Sequence, residues 1–279
     1  MHAESRQSIS IVRGRVLVIA GSDSGGGAGI QADIKAITAL GGFAMTAITA
    51  LTAQNTRGVF GIHDVPVQFL SEQIEVVLSD LGADCIKLGM LHRADIITAV
   101  CEGLDRFAPG IPVVVDPVMV AKGGARLLEP AAQTALTRDI VPRATILTPN
   151  LPEAEALTGL SAPDAAHAHD LAQALLGLGC YAALVKGGHR EDAEVMDLLM
   201  ESGKSPIRFT SKRIDTRHTH GTGCTLASAI AVGIAQGLPL DQAVARARAY
   251  VLEAIRTAPG FGAGHGPLNH THTVKPSEL

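Results

Sequence analysis

Tryptophan is absent from this sequence, tyrosine occurs twice, and aromatic residues make up only 3% of the chain. A surface that stacks nucleic-acid bases needs an aromatic platform, and too few rings are present to build one. No run of Lys or Arg appears, and the formal charge of −4 is scattered along the chain. The electrostatic footprint of a nucleic-acid binder is therefore missing. The longest apolar stretch, around Leu226 to Ala235, is too short to cross a bilayer. The opening "MHAESRQSISIVRGR" lacks the apolar core of a signal peptide. Cysteine is scarce as well. Cys85, Cys101, Cys180 and Cys224 form no C-x-x-C pair. That spacing indicates neither a zinc site nor a disulfide framework, and reduced thiols fit a cytoplasmic protein.

What is present is a chain of 279 residues, 47% apolar, long enough to bury a full core. Short β-rich runs alternate with longer amphipathic ones. "RVLVIAG", "AMTAITALTAQNT", "CIKLGML", "PVVVDPVM", "ATILTPN" and "YAALVKGG" read as strands. Between them, "GIQADIKAITALGG", "PVQFLSEQIEVVLSDLG", "ADIITAVCEGLDRF", "LPEAEALTG" and "PDAAHAHDLAQALLGLG" read as helices. "AEVMDLLMESG" and "PIRFTSKRI" read as paired edge strands, and two last helices fill Gly223 to Thr257. Strands rich in Val, Ile and Leu without polar alternation are buried on both faces. Alternating βα units of this kind predict a mostly parallel sheet with helices on both sides. No linker or repeat divides the chain, so one domain over 15–270 is expected, with a flexible segment over 1–14 and a tail over 271–279. In such a sheet ligands lie beyond the carboxyl ends of the strands, which is where the chemistry-bearing residues should fall.

They do fall there. "AGSDSGGGAGIQAD" is a glycine-rich loop between a strand and a helix, read either as an anion or cofactor cradle or as a plain tight turn. Asp23 inside the loop, and the lack of an acid closing the next strand, argue against a dinucleotide fingerprint. Gln54 ends a strand, and its amide could read a heteroaromatic edge or cap a turn. Met90 could pack on a planar ligand or fill the core. Asp116, Asn150 and Glu153 could place Mg²⁺ around nucleotide phosphates, although Asn150 and Glu153 also read as helix caps. "LVKGGH" puts Lys186, Gly187 and Gly188 after a strand, as a phosphate contact would require, or as a surface turn. In "RHTHGTGCT", Gly221, Thr222 and Gly223 offer backbone N–H groups to a transferring phosphoryl group. Cys224 follows at a helix N-terminus, where the dipole is expected to lower the thiol pKa.

These segments, with "GHGPLNH" near the end, occur in order from about Val16 to His270. Together they resemble the ribokinase-like superfamily, and within it the bacterial hydroxymethylpyrimidine/phosphomethylpyrimidine kinases of thiamine biosynthesis. The resemblance implies a three-layer α/β/α sandwich, ATP and Mg²⁺ as cofactors, and phosphorylation of 4-amino-5-hydroxymethyl-2-methylpyrimidine and then of its monophosphate. It implies a homodimer, with no nucleic-acid or membrane partner. It places Gln54, Asp33, Met90 and Ala28 at the pyrimidine, and Asp116 and Glu153 at the metal. Lys186, Asn150, Gly187 and Gly188 fall at the nucleotide, and Gly221–Gly223 at the anion hole. Cys224 stands where most of the wider superfamily carries an aspartate base. The chain departs from the family pattern at Ser24 and Gly25, where Pro is usual before the glycines. It departs again at Gly123, where Ser is common, and in "AEVMDLLMESG", which lacks the usual aromatic. Pyridoxal/pyridoxine kinase is the alternative within the enzyme class. An NAD-dependent oxidoreductase and a non-catalytic pyrimidine-binding protein are the alternatives outside it.

Overall fold

The structure, a computed structural model, describes residues 13–121, 123–161, 167–188 and 193–274. Most of the expected flexible N-terminal segment, the end of the expected tail, Lys122, His189 and the start of the expected helix at Pro163 lie outside the described residues. Strands β1 (Arg15–Asp23), β2 (Phe43–Asn55), β3 (Gly58–Asp64), β4 (Cys85–Leu88) and β5 (Val113–Val115) come first. β6 (Ile146–Leu147), β7 (Ala182–Val185), β8 (Glu194–Glu201) and β9 (Ile207–Lys212) complete one sheet. Its order is β3-β2-β1-β4-β5-β6-β7-β8-β9. The pairs from β2 to β7 are parallel, while β3, β8 and β9 join antiparallel.

Each strand sends alternate residues to opposite faces, and each face has its own core. Leu17, Ile19, Ile86, Leu88, Val113 and Val115 pack under α2 (Val67–Asp80), α3 (Ala94–Phe107), α4 (Pro130–Ala135), α5 (Leu151–Thr158) and α6 (Ala168–Gly177). Val16, Val18, Ala20, Cys85 and Val114 pack under α1 (Gly29–Ala39), α7 (Thr222–Ala235) and α8 (Leu240–Arg256). This is the expected three-layer arrangement. By this alternation Lys87 of β4 points to the second face, towards α1 and α7. Helix α7 is enclosed on every side from Thr225 to Gly233, which fits its run of small and apolar residues.

Two parts differ from the sequence reading. β3 was not expected, since "GVFGIHD" has two glycines and several exposed positions; it pairs with β2 as a hairpin. The segment 130–143 is helical, passing from α4 through a π turn into a 3₁₀ turn at Pro142.

Candidate active site

From β1 the chain moves to β2 on one side, and from β4 onward it builds the sheet on the other. The carboxyl ends of β1 and β4 therefore flank a topological switch point, where such sheets hold ligands. Asp23, Gln54, Met90, Asp116, Asn150 and Lys186 all lie at this edge of the sheet.

The glycine loop is not an open cradle. Asp23, buried at the end of β1, accepts N–H bonds from Gly25 at 2.8 Å, Gly27 at 3.1 Å and Ala28 at 2.8 Å. The amides that an anion would need are turned onto this carboxylate, so the reading of the loop as an anion cradle gives way to a self-organised turn. The Ala28 N–H is thereby committed to Asp23. His220 adds a fourth bond, its Nε2 lying 2.8 Å from Asp23 Oδ2. The loop and the approach to α7 are locked together.

That approach ends in a usable anion site. Gly221 has φ of +83°, and a Cβ there would collide with the Gly27 carbonyl oxygen, so only glycine serves. Thr222 gives its hydroxyl hydrogen, at 2.6 Å, and its N–H, at 3.3 Å, to the Thr219 carbonyl, so its amide is not offered to an anion as the sequence suggested. Thr225 N–H closes the first helical bond, to Gly221 O at 2.9 Å. The amides of Gly223 and Cys224 make no hydrogen bond to another described residue, leaving them for an anion at the positive end of α7. A side chain at Gly223 would press on Asp116 Oδ2 and Lys186 Nζ, both 3.4 Å from its Cβ position.

The Cys224 thiol sits in that first turn, close to the Gly29 N–H at the start of α1. Two helix N-termini thus meet at one sulfur. The expectation of a lowered pKa is nevertheless overturned. Burial pushes the thiol up to about 12; Lys87 and the Gly29 N–H oppose this, while Asp33 and Asp116 add to it. Desolvation outweighs the dipoles, and the resting thiol is neutral.

Beneath the thiol lies an ion pair. Lys87 Nζ is 3.0 Å from both Asp33 oxygens, and Ser228 Oγ donates to Asp33 Oδ1 at 2.7 Å. Both Asp33 and Lys87 are wholly enclosed. Burial disfavours the Lys87 charge, but the Asp33 carboxylate outweighs it and keeps the ammonium protonated. Asp33 therefore has no direct face on an open pocket and acts through Lys87. Lys87 itself was not singled out from the sequence, although a lysine inside "CIKL" is the signal that could have found it.

On the other side of the turn, Lys186 Nζ is 3.2 Å from Asp116 Oδ1 and stays charged because Asp116 and Glu153 outweigh its burial. Asn150 and Glu153 form a reciprocal capping box: Asn150 Oδ1 accepts Glu153 N–H at 2.9 Å, and Glu153 Oε2 accepts Asn150 N–H at 2.8 Å. The Met119 N–H also reaches Glu153. Burial pushes the Glu153 carboxyl up to about 7; Lys186 opposes this and Asp116 reinforces it. Gly187 gives its N–H to Asp197 Oδ1 at 2.9 Å, and a Cβ there would collide with the Met196 carbonyl oxygen. The Gly188 carbonyl accepts from Arg213 at 3.3 Å.

Across the switch point, Met90 packs with Ala50 and Leu127, flanked by Val59, Ile62, Val118 and Ala121. This small apolar wall is separate from both main cores, and the unexpected β3 supplies part of it. Gln54 is half-buried at the tip of β2, close to His220 and Thr52. The Asp23–His220 pair was also missed by sequence reasoning, although both residues stand in quoted segments.

Among the described residues no group of three or more His, Cys, Asp or Glu could hold a metal alone. The donor set still fits Mg²⁺, which takes one or two carboxylates and otherwise substrate phosphates and water. Asp116 Oδ2 makes no hydrogen bond to a described residue and is the free oxygen donor.

The family model described as phosphomethylpyrimidine kinase matches residues 23–269. A hydroxymethylpyrimidine/phosphomethylpyrimidine kinase of Rhizobium meliloti is 49% identical over 259 residues, covering 92% of this chain and 96% of the relative. A thiamine biosynthesis bifunctional protein of Geobacter sulfurreducens is 51% identical over 258 residues, 92% of this chain; the chain spans about half of that relative, 52%. Among solved structures, Bacillus subtilis pyridoxal kinase in complex with ADP superposes with a TM-score of 0.85 at 30% identity, covering 93% of this chain and 98% of that one.

Proposed function

The chain belongs to the phosphomethylpyrimidine kinase family, and from that membership we propose that its site transfers the γ-phosphoryl group of ATP twice. The first acceptor is the hydroxymethyl group of 4-amino-5-hydroxymethyl-2-methylpyrimidine, and the second is the resulting monophosphate, giving the diphosphate used in thiamine biosynthesis. The observation that carries this reading is the Cys224 thiol in the first turn of α7, beside the free Gly223 and Cys224 amides and the Asp116–Lys186 pair.

Phosphoryl transfer asks mainly for positioning and charge stabilisation. The free Gly223 and Cys224 amides and Lys186 hold the transferring phosphoryl group. In the first step the hydroxyl oxygen bonds to the γ-phosphorus, its bond to the ADP oxygen breaks, and the hydroxyl proton passes to the Cys224 sulfur. Because the thiol is neutral at rest, it must first give its own proton to solvent. Lys87, Lys186 and the two helix N-termini supply the positive field that stabilises the thiolate. Mg²⁺ would neutralise phosphate charge there, and Asp116 and Glu153 are the residues that would hold it. Gln54 and Met90 receive the ring.

No helix among the described residues is long and apolar enough to cross a membrane. The four free cysteines support a reducing cytoplasm. Leu51 and Phe60, exposed on the β2–β3 hairpin, support a homodimer. Kinase turnover measured side by side on the hydroxymethyl pyrimidine, its monophosphate and pyridoxal tests the assignment. Preference for pyridoxal would replace it with the pyridoxal kinase reading that the Bacillus subtilis structure keeps open.

A further inference from the structure

Strand β8 carries a buried carboxylate, Asp197, that the transfer outlined above does not use. Leu199, two residues on, packs in the core under α7 and α8, so Asp197 faces the same side. Its Oδ1 accepts the Gly187 N–H at 2.9 Å, and its Oδ2 accepts the Nε–H of Arg248, from α8, at 2.7 Å. Arg248 is buried as well. Its guanidinium lies 5.6 Å from the centre of the Phe209 ring, and a terminal nitrogen reaches Ser211 Oγ at 3.4 Å. A buried ion pair is a poor source of stability, because desolvation offsets its attraction. Its place directly behind the Lys186–Gly188 turn points to another use.

The N–H that Asp197 holds belongs to the peptide unit joining Lys186 to Gly187. That unit is planar, so fixing its N–H fixes the backbone rotation on the carbonyl side of Lys186. The amide side is fixed too, since the Lys186 N–H goes to the Pro149 carbonyl at 2.9 Å. Lys186 is thus pinned on both sides of its Cα, and the direction in which its side chain leaves the chain is set. Gly187 fits under this restraint because a Cβ there would collide with the Met196 carbonyl oxygen. The result is an ammonium 3.2 Å from Asp116 Oδ1 and close beside Gly223 at the start of α7. We infer that Asp197, braced by Arg248, is a positioning residue for phosphoryl transfer: it holds the Lys186–Gly187 peptide so that Lys186 points at the transferring group. The inference deepens the reading of Lys186 as a phosphoryl contact and rests on it. Misplacing a charged group by a fraction of its contact distance is costly in such a transfer, where positioning supplies much of the rate.

The experiment measures single-turnover rates at saturating ATP and pyrimidine monophosphate for the wild type, Asp197→Ala, Lys186→Met and the double variant, with the KM of the acceptor alongside. Asp197→Ala should slow transfer at least about tenfold, the worth of one charge-assisted hydrogen bond. The acceptor KM should stay within about twofold, because the loss falls on the transfer step. In the Lys186→Met background the same change should cost less than about twofold, since the side chain it positions is gone. Arg248 gives a second pair of variants. A glutamine carries its carboxamide nitrogen where arginine carries Nε, so Arg248→Gln can still donate to Asp197 and should keep most of the rate. Arg248→Met cannot, and should follow Asp197→Ala; it takes that variant's place in the comparison if Asp197→Ala does not fold. A role in stability alone would cost as much without Lys186 as with it, or would raise the acceptor KM in step. Either result, or an unchanged rate, in whichever variant folds overturns the inference and leaves the kinase assignment intact. A wild-type rate in Lys186→Met would instead overturn the reading of Lys186, and the inference with it.

Discussion

Lys87 Nζ stands 3.0 Å from each carboxylate oxygen of Asp33, and neither side chain has any solvent access. The pair joins β4 to α1, and through Ser228 it reaches α7 four residues beyond the thiol. Removing one partner strands the other charge in the interior. Lys87→Met should therefore cost about 3–5 kcal/mol of stability. Replacing both, as Lys87→Met with Asp33→Leu, should cost much less than the sum of the single changes, because no unpaired charge remains. Urea denaturation of the two single variants and the double variant checks this; simple additivity would mean that the pair carries no coupling.

The Cys224 thiol, pushed up to about 12 by burial, should react slowly with iodoacetamide at neutral pH. Below its pKa the thiolate fraction grows tenfold per pH unit, so alkylation of the ligand-free protein should climb without a plateau to pH 10. The turnover of the alcohol substrate should rise with pH over the same range. A plateau near pH 7, read on the Cys224 peptide by mass, would show a resting thiolate and restore the helix dipoles as the dominant influence.

How much of this was legible in the sequence depends on how local each feature is. The Val-rich runs and their alternation with helices specify the parallel sheet, and the turn "HGTGCT" specifies where α7 begins. β5 and β6, three and two residues long, survive as strands only because their neighbours cover them on both faces. The β3 hairpin depends on pairing with β2 rather than on its own propensity. The site was legible in its positions but not in its energetics. A reading along the chain cannot see that Asp23 consumes the loop amides, that Asp33 is enclosed by Lys87, or that desolvation overrides the helix termini at Cys224. The Asp23 turn is local but shows itself only once the loop is folded, the Asp33–Lys87 pair joins residues 54 positions apart, and the burial at Cys224 is created only by the packed chain.

His270 carries a pH dependence of opposite origin. Burial, with smaller contributions from the charges of Lys35 and His272, lowers it to about 4 from 6.5, and its Nε2 pairs with Thr225 Oγ1 at 3.0 Å. The unfolded chain binds this proton at higher pH than the folded one. The stability it contributes is thus complete above about pH 6.5 and is lost as pH falls towards 4, on the order of 3 kcal/mol in all. His270→Asn should flatten that part of the stability–pH curve. A curve of unchanged slope between pH 4 and 6.5 would place the acid sensitivity elsewhere.

The two phosphorylations should divide the site's machinery between them. The first acceptor is an alcohol, whose proton must leave during attack, and a positioned base is worth roughly 10²–10⁴ in turnover. The second acceptor is a phosphate monoester with a second pKa near ~6, already largely dianionic at neutral pH. It needs no base, but it brings two phosphate groups together, and their repulsion has to be offset by positive groups. Lys186, held at 3.2 Å from Asp116, is the charged side chain placed to do this beside the Gly223 amide. Cys224→Ala should therefore slow the alcohol step at least about tenfold more than the monophosphate step, with the loss in kcat, because the proton moves only in the transition state. Lys186→Met should show the reverse preference. Single-turnover rates for both variants on both substrates give the comparison directly. Equal losses on the two substrates for each variant would show that one set of groups serves both steps, and would leave Cys224 as a residue of the anion turn rather than a base.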